Sequence, residues 1–447
     1  MRRFGKLLTV LATSLITIAA APVITLAADV SKVDAGDTSF ILVSAALVLL
    51  MTPGLALFYG GMVRRKNILS ILMQCFFIMA LVSIQWVLCG YSLSFGPDLH
   101  HFIGSLSWAG MSGVGAAPNA DYAGTIPHAA FSMFQLMFAI ITAGLIIGAF
   151  AERMRFPVFV VFILLWTTLV YDPVAHWVWG VDGWLRNLGA LDFAGGTVVH
   201  ISSGVSGLVA ALVLGKRLGG REPMVPHNLP LTVLGAGLLW FGWFGFNAGS
   251  ALAANGLAAT AFLTTNTAAA AATLSWMLCE WMHHGKPTVL GAVSGTVAGL
   301  VAITPAAGFV TPMAAIIMGL LVSPCCYLAV AKVKEKMGYD DSLDAFGIHG
   351  VGGTFGAIAT GLFATTAVNS AGFNGLFYGN PHQLLVQVIA VLVTYVFAGG
   401  MTFIILKGIS LVTSLRATEE EEEIGLDLSQ HGEDAYSNFE LAGNHSV

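Results

Sequence analysis

Of 447 residues, 56% are hydrophobic and only 10% are charged, against roughly a quarter charged in an ordinary soluble domain, which excludes a water-soluble globular chain and places this one in lipid. The formal net charge is -5, and much of the acid sits in a terminal run from Glu419 to Glu423, so there is no basic footprint for a nucleic acid. The apolar residues fall into runs of about 20, the length that crosses a hydrocarbon core roughly 30 Å thick, and the 52 glycines suit close helix packing.

In chain order, Arg2, Arg3 and Lys6 precede an apolar stretch from Leu7 to about Ala21, with small residues around Ala27 and Ala28. That pattern predicts a cleavable signal peptide over residues 1–28, with an uncleaved signal anchor as the competing reading. Apolar helices follow at about 39–61, 68–95, 126–150, 156–180, 196–214, 229–254, 258–283, 288–304, 308–334, 342–366 and 382–414. The count is eleven, and only Thr304 to Gly308, with Pro305 inside, separates the eighth from the ninth. All five cysteines lie within apolar spans, so none is placed for a disulfide in an oxidising loop.

Charge placement tests the count independently, because basic residues accumulate in cytoplasmic loops. Every second loop is basic: Arg64, Arg65 and Lys66; Arg153 and Arg155; Lys216, Arg217 and Arg221; Lys286; Lys332, Lys334 and Lys336; then Lys407 and Arg416. Outside the signal only Lys32 and Arg186 fall on the other side. An odd number of spans with this asymmetry predicts an outer N-terminus for the mature chain and a cytoplasmic C-terminus. The segment from residue 415 to residue 447 departs from the membrane pattern, and its composition alone reads as a solvated acidic tail.

Two segments look like distant copies. Leu191-Asp192-Phe193 leads to His200 and then glycines, and Leu343-Asp344-Ala345-Phe346 leads to His349 and more glycines. They open helices five and ten, as two inverted five-helix repeats plus a final helix would require, with a substrate path at the repeat interface. Of twelve histidines only His200 and His349 sit well inside apolar spans, and ionisable groups at that depth usually line an internal path. A core histidine satisfied by one carbonyl is the bland alternative, weakened by the paired positions. Metal ligation is another, but neither histidine belongs to a HExxH or CxxC pattern and no acid or cysteine at that depth completes a set.

The motifs FYGGMVRRKN (58–67), GAFAERMRFP (148–157), GALDFAGGTVVHI (189–201), GWFGFNAGS (242–250) and FGIHGVGG (346–353) resemble the signatures of the Amt/MEP/Rh ammonium transporters, most closely the bacterial Amt proteins. The resemblance runs from about Phe40 to the C-terminus. It implies an all-α homotrimer of eleven-helix protomers in the bacterial inner membrane, a membrane domain at 39–414, a cytoplasmic regulatory tail at 415–447, and neither enzyme activity nor a cofactor. It also implies roles for particular residues. Trp179, Phe134 and Ser250 would form an outer cation site for ammonium, and Phe138 and Phe246 the stacked rings closing the pore below it. His200 and His349 would line the channel, with Asp192 organising the outer site and adding negative potential there, and Trp243 on the pore wall. The family's tail packs against cytoplasmic loops and helps PII-type signal proteins block the pore, which the match through GLDLSQHGEDAY extends to this chain.

Those side chains suit the task. An aromatic cage attracts a small cation by about 0.5–2 kcal/mol, but potassium would enjoy a similar attraction, so the cage alone is not selective. Dragging a bare cation through a dry pore costs on the order of tens of kcal/mol. Deprotonating an amine of pKa about 10 at pH 7 costs roughly 4 kcal/mol, a route open to ammonium and closed to potassium. Two neutral imidazoles would supply hydrogen-bond partners to ammonia and could relay a proton separately. A sensor built on the same pore is the rival class, and a redox or metal enzyme a remoter one; the brevity of the segment after helix eleven makes transport the expectation.

Overall fold

The computed structural model describes residues 33–219 and 224–436; the expected signal peptide lies outside the described residues. Ten helices are long and apolar enough to cross a membrane: α1 (Ala35–Met62), α2 (Arg65–Phe95), α3 (His128–Phe150), α4 (Phe156–Leu188), α5 (Gly196–Leu214), α6 (Leu229–Gly249), α7 (Gly256–His284), α9 (Pro312–Met337), α10 (Phe346–Phe363) and α11 (Pro381–Ser410). The eleventh apolar helix, α8 (Val289–Ile303), is only 15 residues long. It stops where Pro305 removes a backbone donor, and turns carry the chain from Thr304 to the start of α9, where Thr311 caps the helix through the Ala314 N–H. All eleven expected helices are therefore present.

The long segment between α2 and α3 forms two small antiparallel ribbons, Asp98–Leu99 with Ile103–Gly104 and Pro118–Asn119 with Ala123–Pro127. This end of the bundle is called the hairpin side, and the opposite end, which receives the C-terminal tail, the tail side. Around the bundle, apolar side chains point outward: on α11, Leu392, Val396 and Ile404 are more than half exposed, as a hydrocarbon solvent requires and water would penalise.

Glycine sets how near the helices come. A Cβ on Gly235 of α6 would lie 2.3 Å from the Phe58 nitrogen of α1, and one on Gly204 of α5 would lie 2.2 Å from the Gly350 nitrogen of α10. No side chain fits at either crossing, so backbone meets backbone. The second crossing matters most, because α5 and α10 carry His200 and His349.

The tail-side loops are knitted by charge. Arg64 pairs with Glu152 at 3.0 Å, Arg217 reaches the same Glu152 at 3.2 Å, and Arg217 also holds Asp340 at 2.8 Å. The Arg153 side chain, fully buried, donates to the carbonyls of Ala149 and Asp340. These contacts join the loops after α1, α3, α5 and α9, four of the basic loops of the sequence. The tail is docked on them instead of standing free in solvent. Asp427 accepts the Leu69 and Ser70 N–H groups at the start of α2, Asn67 accepts the Leu426 N–H, and Gln430 accepts the Phe156 N–H. Glu422, inside the acidic run, is buried in a bidentate pair with Arg416, while Thr418 and Glu421 form a capping box. Composition alone misses this because the glutamates differ in the face they present: Glu422 turns inward to an arginine, Glu421 is half-buried between Thr418 and Gln430, and Glu419, Glu420 and Glu423 stay exposed.

Burial opposes ionisation of Asp340, yet hydrogen bonds from Arg217 and the charges of Arg217 and Arg153 hold its pKa down at about 2. A depressed carboxylate contributes stability that is present above its unfolded pKa, about 3.9, and lost as the pH falls through about 2. Asp340→Asn is expected to lower the thermal unfolding midpoint at pH 7, breaking a largely buried pair of a kind whose rupture costs about 3–5 kcal/mol. The gap between variant and wild type should close as the pH falls from about 4 toward about 2; a gap that ignores pH would assign the effect to packing.

Candidate functional site

The site is built where two pseudo-equivalent helices begin. Before α5, Asp192 folds its carboxylate back over the helix start: Oδ1 accepts the Gly195 and Gly196 N–H groups at 2.8 and 2.6 Å, and Oδ2 accepts those of Thr197 and Val198 at 2.8 and 3.1 Å. Four backbone donors that a helix start leaves unsatisfied are thereby served by one side chain. Burial pushes this carboxyl's pKa up, with the four N–H groups pulling the other way. Before α10, Asp341 does the corresponding work, accepting from Ala345 and Phe346 at 3.0 and 2.8 Å.

The sequence comparison aligned Asp344 with Asp192, and the structure corrects it. Asp341 precedes His349 by the same eight positions that separate Asp192 from His200, whereas the Asp344 side chain turns to Lys334 Nζ at 2.6 Å. Spacing to the histidine, instead of the shared Leu-Asp pair, was the signal that identifies the twin. Both histidines lie in π-helical turns, Gly196–Ile201 and Phe346–Gly350, a local widening often found at functional positions.

The two rings meet. His200 Nδ1 and His349 Nδ1 are 3.3 Å apart, with ring centroids at 5.3 Å and planes at 20°. Only one proton fits between two ring nitrogens at that distance, so one imidazole donates and the other accepts. Each ring's Nε2 is then fixed as the opposite type, and His200 Nε2 is buried without a protein partner. Trp243 stacks on His200 at 5.4 Å and 21°, held by a hydrogen bond from its Nε1 to Thr304 Oγ1 at 2.9 Å. Both histidines border a cavity of only about 10 Å³, whose other walls are almost entirely apolar, among them Leu55, Ile141, Val199, Trp243 and Phe246.

Toward the hairpin side, Phe138 and Phe246 lie ring against ring, 4.3 Å between centroids at 31°. Beyond them opens a vestibule of about 190 Å³ bordered by Phe138, Trp179, Ser250, Gln135, Asp121 and Arg186, among others. Trp179 stands edge-on to Phe138 at 5.8 Å and 89°, its Nε1 tied to the Asp192 carbonyl at 2.9 Å. Ser250 donates its hydroxyl to the Phe246 carbonyl at 2.9 Å, which leaves the oxygen lone pairs as acceptors. Phe134 sits behind this cage instead of on its surface: it is fully buried, packs against Phe138 at 5.0 Å, and presses on Gly249. Two residues missed in the sequence belong to the neighbourhood. Gln135 Oε1 is a buried acceptor with no protein partner on the vestibule wall. Gln387 of α11 clamps the segment carrying Asp192, accepting the Leu191 N–H and donating to the Leu191 carbonyl, both at 2.8 Å. A lone glutamine in an apolar helix gives no local signal of such a distant partner.

Among the described residues there is no group of three or more His, Cys, Asp or Glu placed to hold a metal ion. The arrangement is a linear series: polar vestibule, aromatic closure, apolar channel with two imidazoles, and a second opening on the tail side.

Comparison with known proteins agrees with that series. The family model described as Ammonium Transporter Family matches residues 39–436. An ammonium transporter of Bacillus subtilis (strain 168) is 61% identical over 401 residues, covering 90% of this chain and 98% of the relative. The ammonium transporter Amt1 of Archaeoglobus fulgidus is 48% identical, with 90% and 99% covered. Among solved structures, Saccharomyces cerevisiae Mep2 superposes with a TM-score of 0.84 at 38% identity, covering 92% of this chain and 93% of that one. A sensor Amt protein superposes at 0.82 with 30% identity, covering 89% and 98%. With the family model spanning nearly the whole described chain and relatives matched along almost their full length, the chain belongs to the ammonium transporter family.

Proposed function

We propose that this protein takes ammonium into the cell across a bacterial inner membrane by stripping the cation of a proton at its outer mouth. The observation that carries the reading is the pair of imidazoles 3.3 Å apart in a narrow, largely apolar channel beneath the closely apposed phenyl rings of Phe138 and Phe246. In this reading the hairpin side faces out and the tail side faces the cytoplasm, in keeping with the basic loops gathered there. Residues 1–28 are a cleaved signal peptide, 39–414 the membrane domain and 415–447 a regulatory tail, and three copies assemble as a homotrimer.

Ammonium enters the vestibule, where the Trp179 and Phe138 faces attract it and Ser250 accepts one of its hydrogen bonds; Phe134 supports the cage from behind. Asp192 fixes the segment that carries the Trp179 partner carbonyl. Crossing between Phe138 and Phe246 leaves no room for a hydration shell, and the cation faces a penalty on the order of tens of kcal/mol that deprotonation at roughly 4 kcal/mol avoids. Ammonia has one lone pair and three N–H groups, and the histidine pair offers both a ring N–H and a ring lone pair. Trp243 keeps His200 flat against the wall. The released proton travels separately along the paired imidazoles, which makes the overall movement electrogenic.

Currents from reconstituted protein on a solid-supported membrane test this directly. Ammonium pulses should give a current and potassium pulses none, and replacing His200 and His349 together with leucine should reduce the ammonium current by about tenfold or more, a rise of at least ~1.4 kcal/mol in the barrier. A double variant that conducts as the wild type does, with the same selectivity, would remove the histidines from the mechanism.

A PII-type signal protein is the proposed partner at the tail side. The support is the docked tail, which ties Asn67 and the start of α2 to Leu426 and Asp427 and so couples the tail to the helices around the pore. Deleting the residues after Arg416 should relieve block by a co-expressed PII protein; block that persists unchanged would locate its binding elsewhere. The structural likeness to a sensor Amt protein favours, as a second reading, signalling by the same pore, which a flux measurement without any downstream partner separates from transport.

A further inference from the structure

Past the histidines the channel widens again on the tail side into a cavity of about 50 Å³. Its wall includes His349, Tyr59, Ser294 and Asp344, and it shares His349, Phe58 and Val297 with the narrow space above. A solute leaving the imidazoles on that side therefore arrives beside Asp344, the one carboxylate among the lining residues. The Asp344 carboxylate does not cap α10, a role that falls to Asp341. Its backbone sits at φ 59, in the left-handed region, a turn conformation that aspartate tolerates better than most side chains. Among the described residues its carboxylate has one side-chain partner, Lys334 Nζ at 2.6 Å.

That partner is informative chemically. The lysine head is an alkylammonium with three N–H donors and a single positive charge, so a carboxylate placed to hold it is placed to hold ammonium by the same charge-assisted hydrogen bond. The two side chains are 24% and 31% exposed, so the lysine can be exchanged for a solute cation without opening the bundle. The nearby Arg217–Asp340 pair, at 9% and 14%, offers no such access.

We propose that Asp344 is a second ammonium-binding site, at the tail-side mouth, and that Lys334 is its built-in competitor, occupying the carboxylate whenever ammonium is absent. The proposal rests on the transport reading and adds to it. An inward-moving ammonia that has regained its proton is received there, and the lysine hastens its release. An outward-moving ammonium must displace the lysine to load.

The test applies ammonium separately to each face of reconstituted protein sorted by orientation and reads the half-saturating concentration on each. Lys334→Met and Lys334→Gln keep the carboxylate and remove the competitor, and should lower the tail-side value by about twofold to fivefold, the range for a partly exposed ion pair. Asp344→Asn should raise it, and the Asp344→Asn/Lys334→Met double variant should behave as Asp344→Asn does. The hairpin-side value should stay as in wild type throughout. Tail-side values unmoved by the lysine variants, or both faces shifting together, would overturn the site. The lysine variants alone decide the matter if Asp344→Asn fails to fold. The wild-type hairpin-side response to ammonium against potassium reports on the transport reading by itself, so loss of that response and loss of the second site are told apart.

Discussion

Everything in this bundle answers to the approach of two imidazoles in the middle of a membrane. Two polar rings at that depth are tolerable only if each satisfies the other and neither meets lipid. The contact at 3.3 Å goes with α5 and α10 crossing backbone to backbone, which Gly204 permits, since a Cβ there would meet the backbone of His349 and Gly350. The two helices must also start in register, and the paired aspartates set that register by gathering the backbone N–H groups of the first turn. Removing the glycine contact or either cap would therefore act at the histidines without touching them.

The repeat supplies symmetry, and the two mouths then depart from it. On one side the capping residue Asp192 leaves its carbonyl free to hold Trp179, so the helix start and the vestibule are parts of one construction. On the other, Asp341 caps alone, and the chain between it and α10 bends at Asp344 to place a second acid against the channel. The same eight-residue spacing thus supports an aromatic mouth at one end and an ionic mouth at the other. On the proposed reading, a conduit whose middle excludes charge has different devices at its ends, one to gather a cation and one to let it go.

Much of this was legible in the sequence because lipid imposes long apolar runs and loops alternate in charge. The eleven helices and their order follow from those patterns, and the histidine pairing from the internal repeat. The boundary between the eighth and ninth helices is the hardest to read, because only Thr304 to Gly308 separates them, and in the structure the eighth stops after 15 residues, ahead of Pro305. Legibility failed where partners are remote. The eight-residue spacing to the histidine marks Asp341 as the cap, but nothing local shows where Asp344 turns, which emerges only when Lys334 is seen beside it in space. Gln387 reads as a polar blemish in α11 until its two hydrogen bonds to Leu191, 196 positions away, are known. The tail misleads in the opposite sense, since a run of five glutamates reads as solvent-exposed although one of them is buried against Arg416.

The aromatic closure bears on selectivity more than on occlusion. Phe138 and Phe246 are 4.3 Å apart, close enough to exclude a hydrated ion, yet rotation of a ring is a fast, small motion compared with the movement of a helix. On the proposed reading, a cation held at the vestibule loses water on one face only, where the rings and Ser250 replace it. Going further means losing the rest into a channel whose walls beyond the imidazoles are mostly hydrocarbon, and no arrangement of phenyl groups compensates a full charge there. On the proposed reading the rings need not recognise ammonium at all. They need only make dehydration unavoidable, because the one monovalent cation in question that can discard its charge passes and the one that cannot turns back.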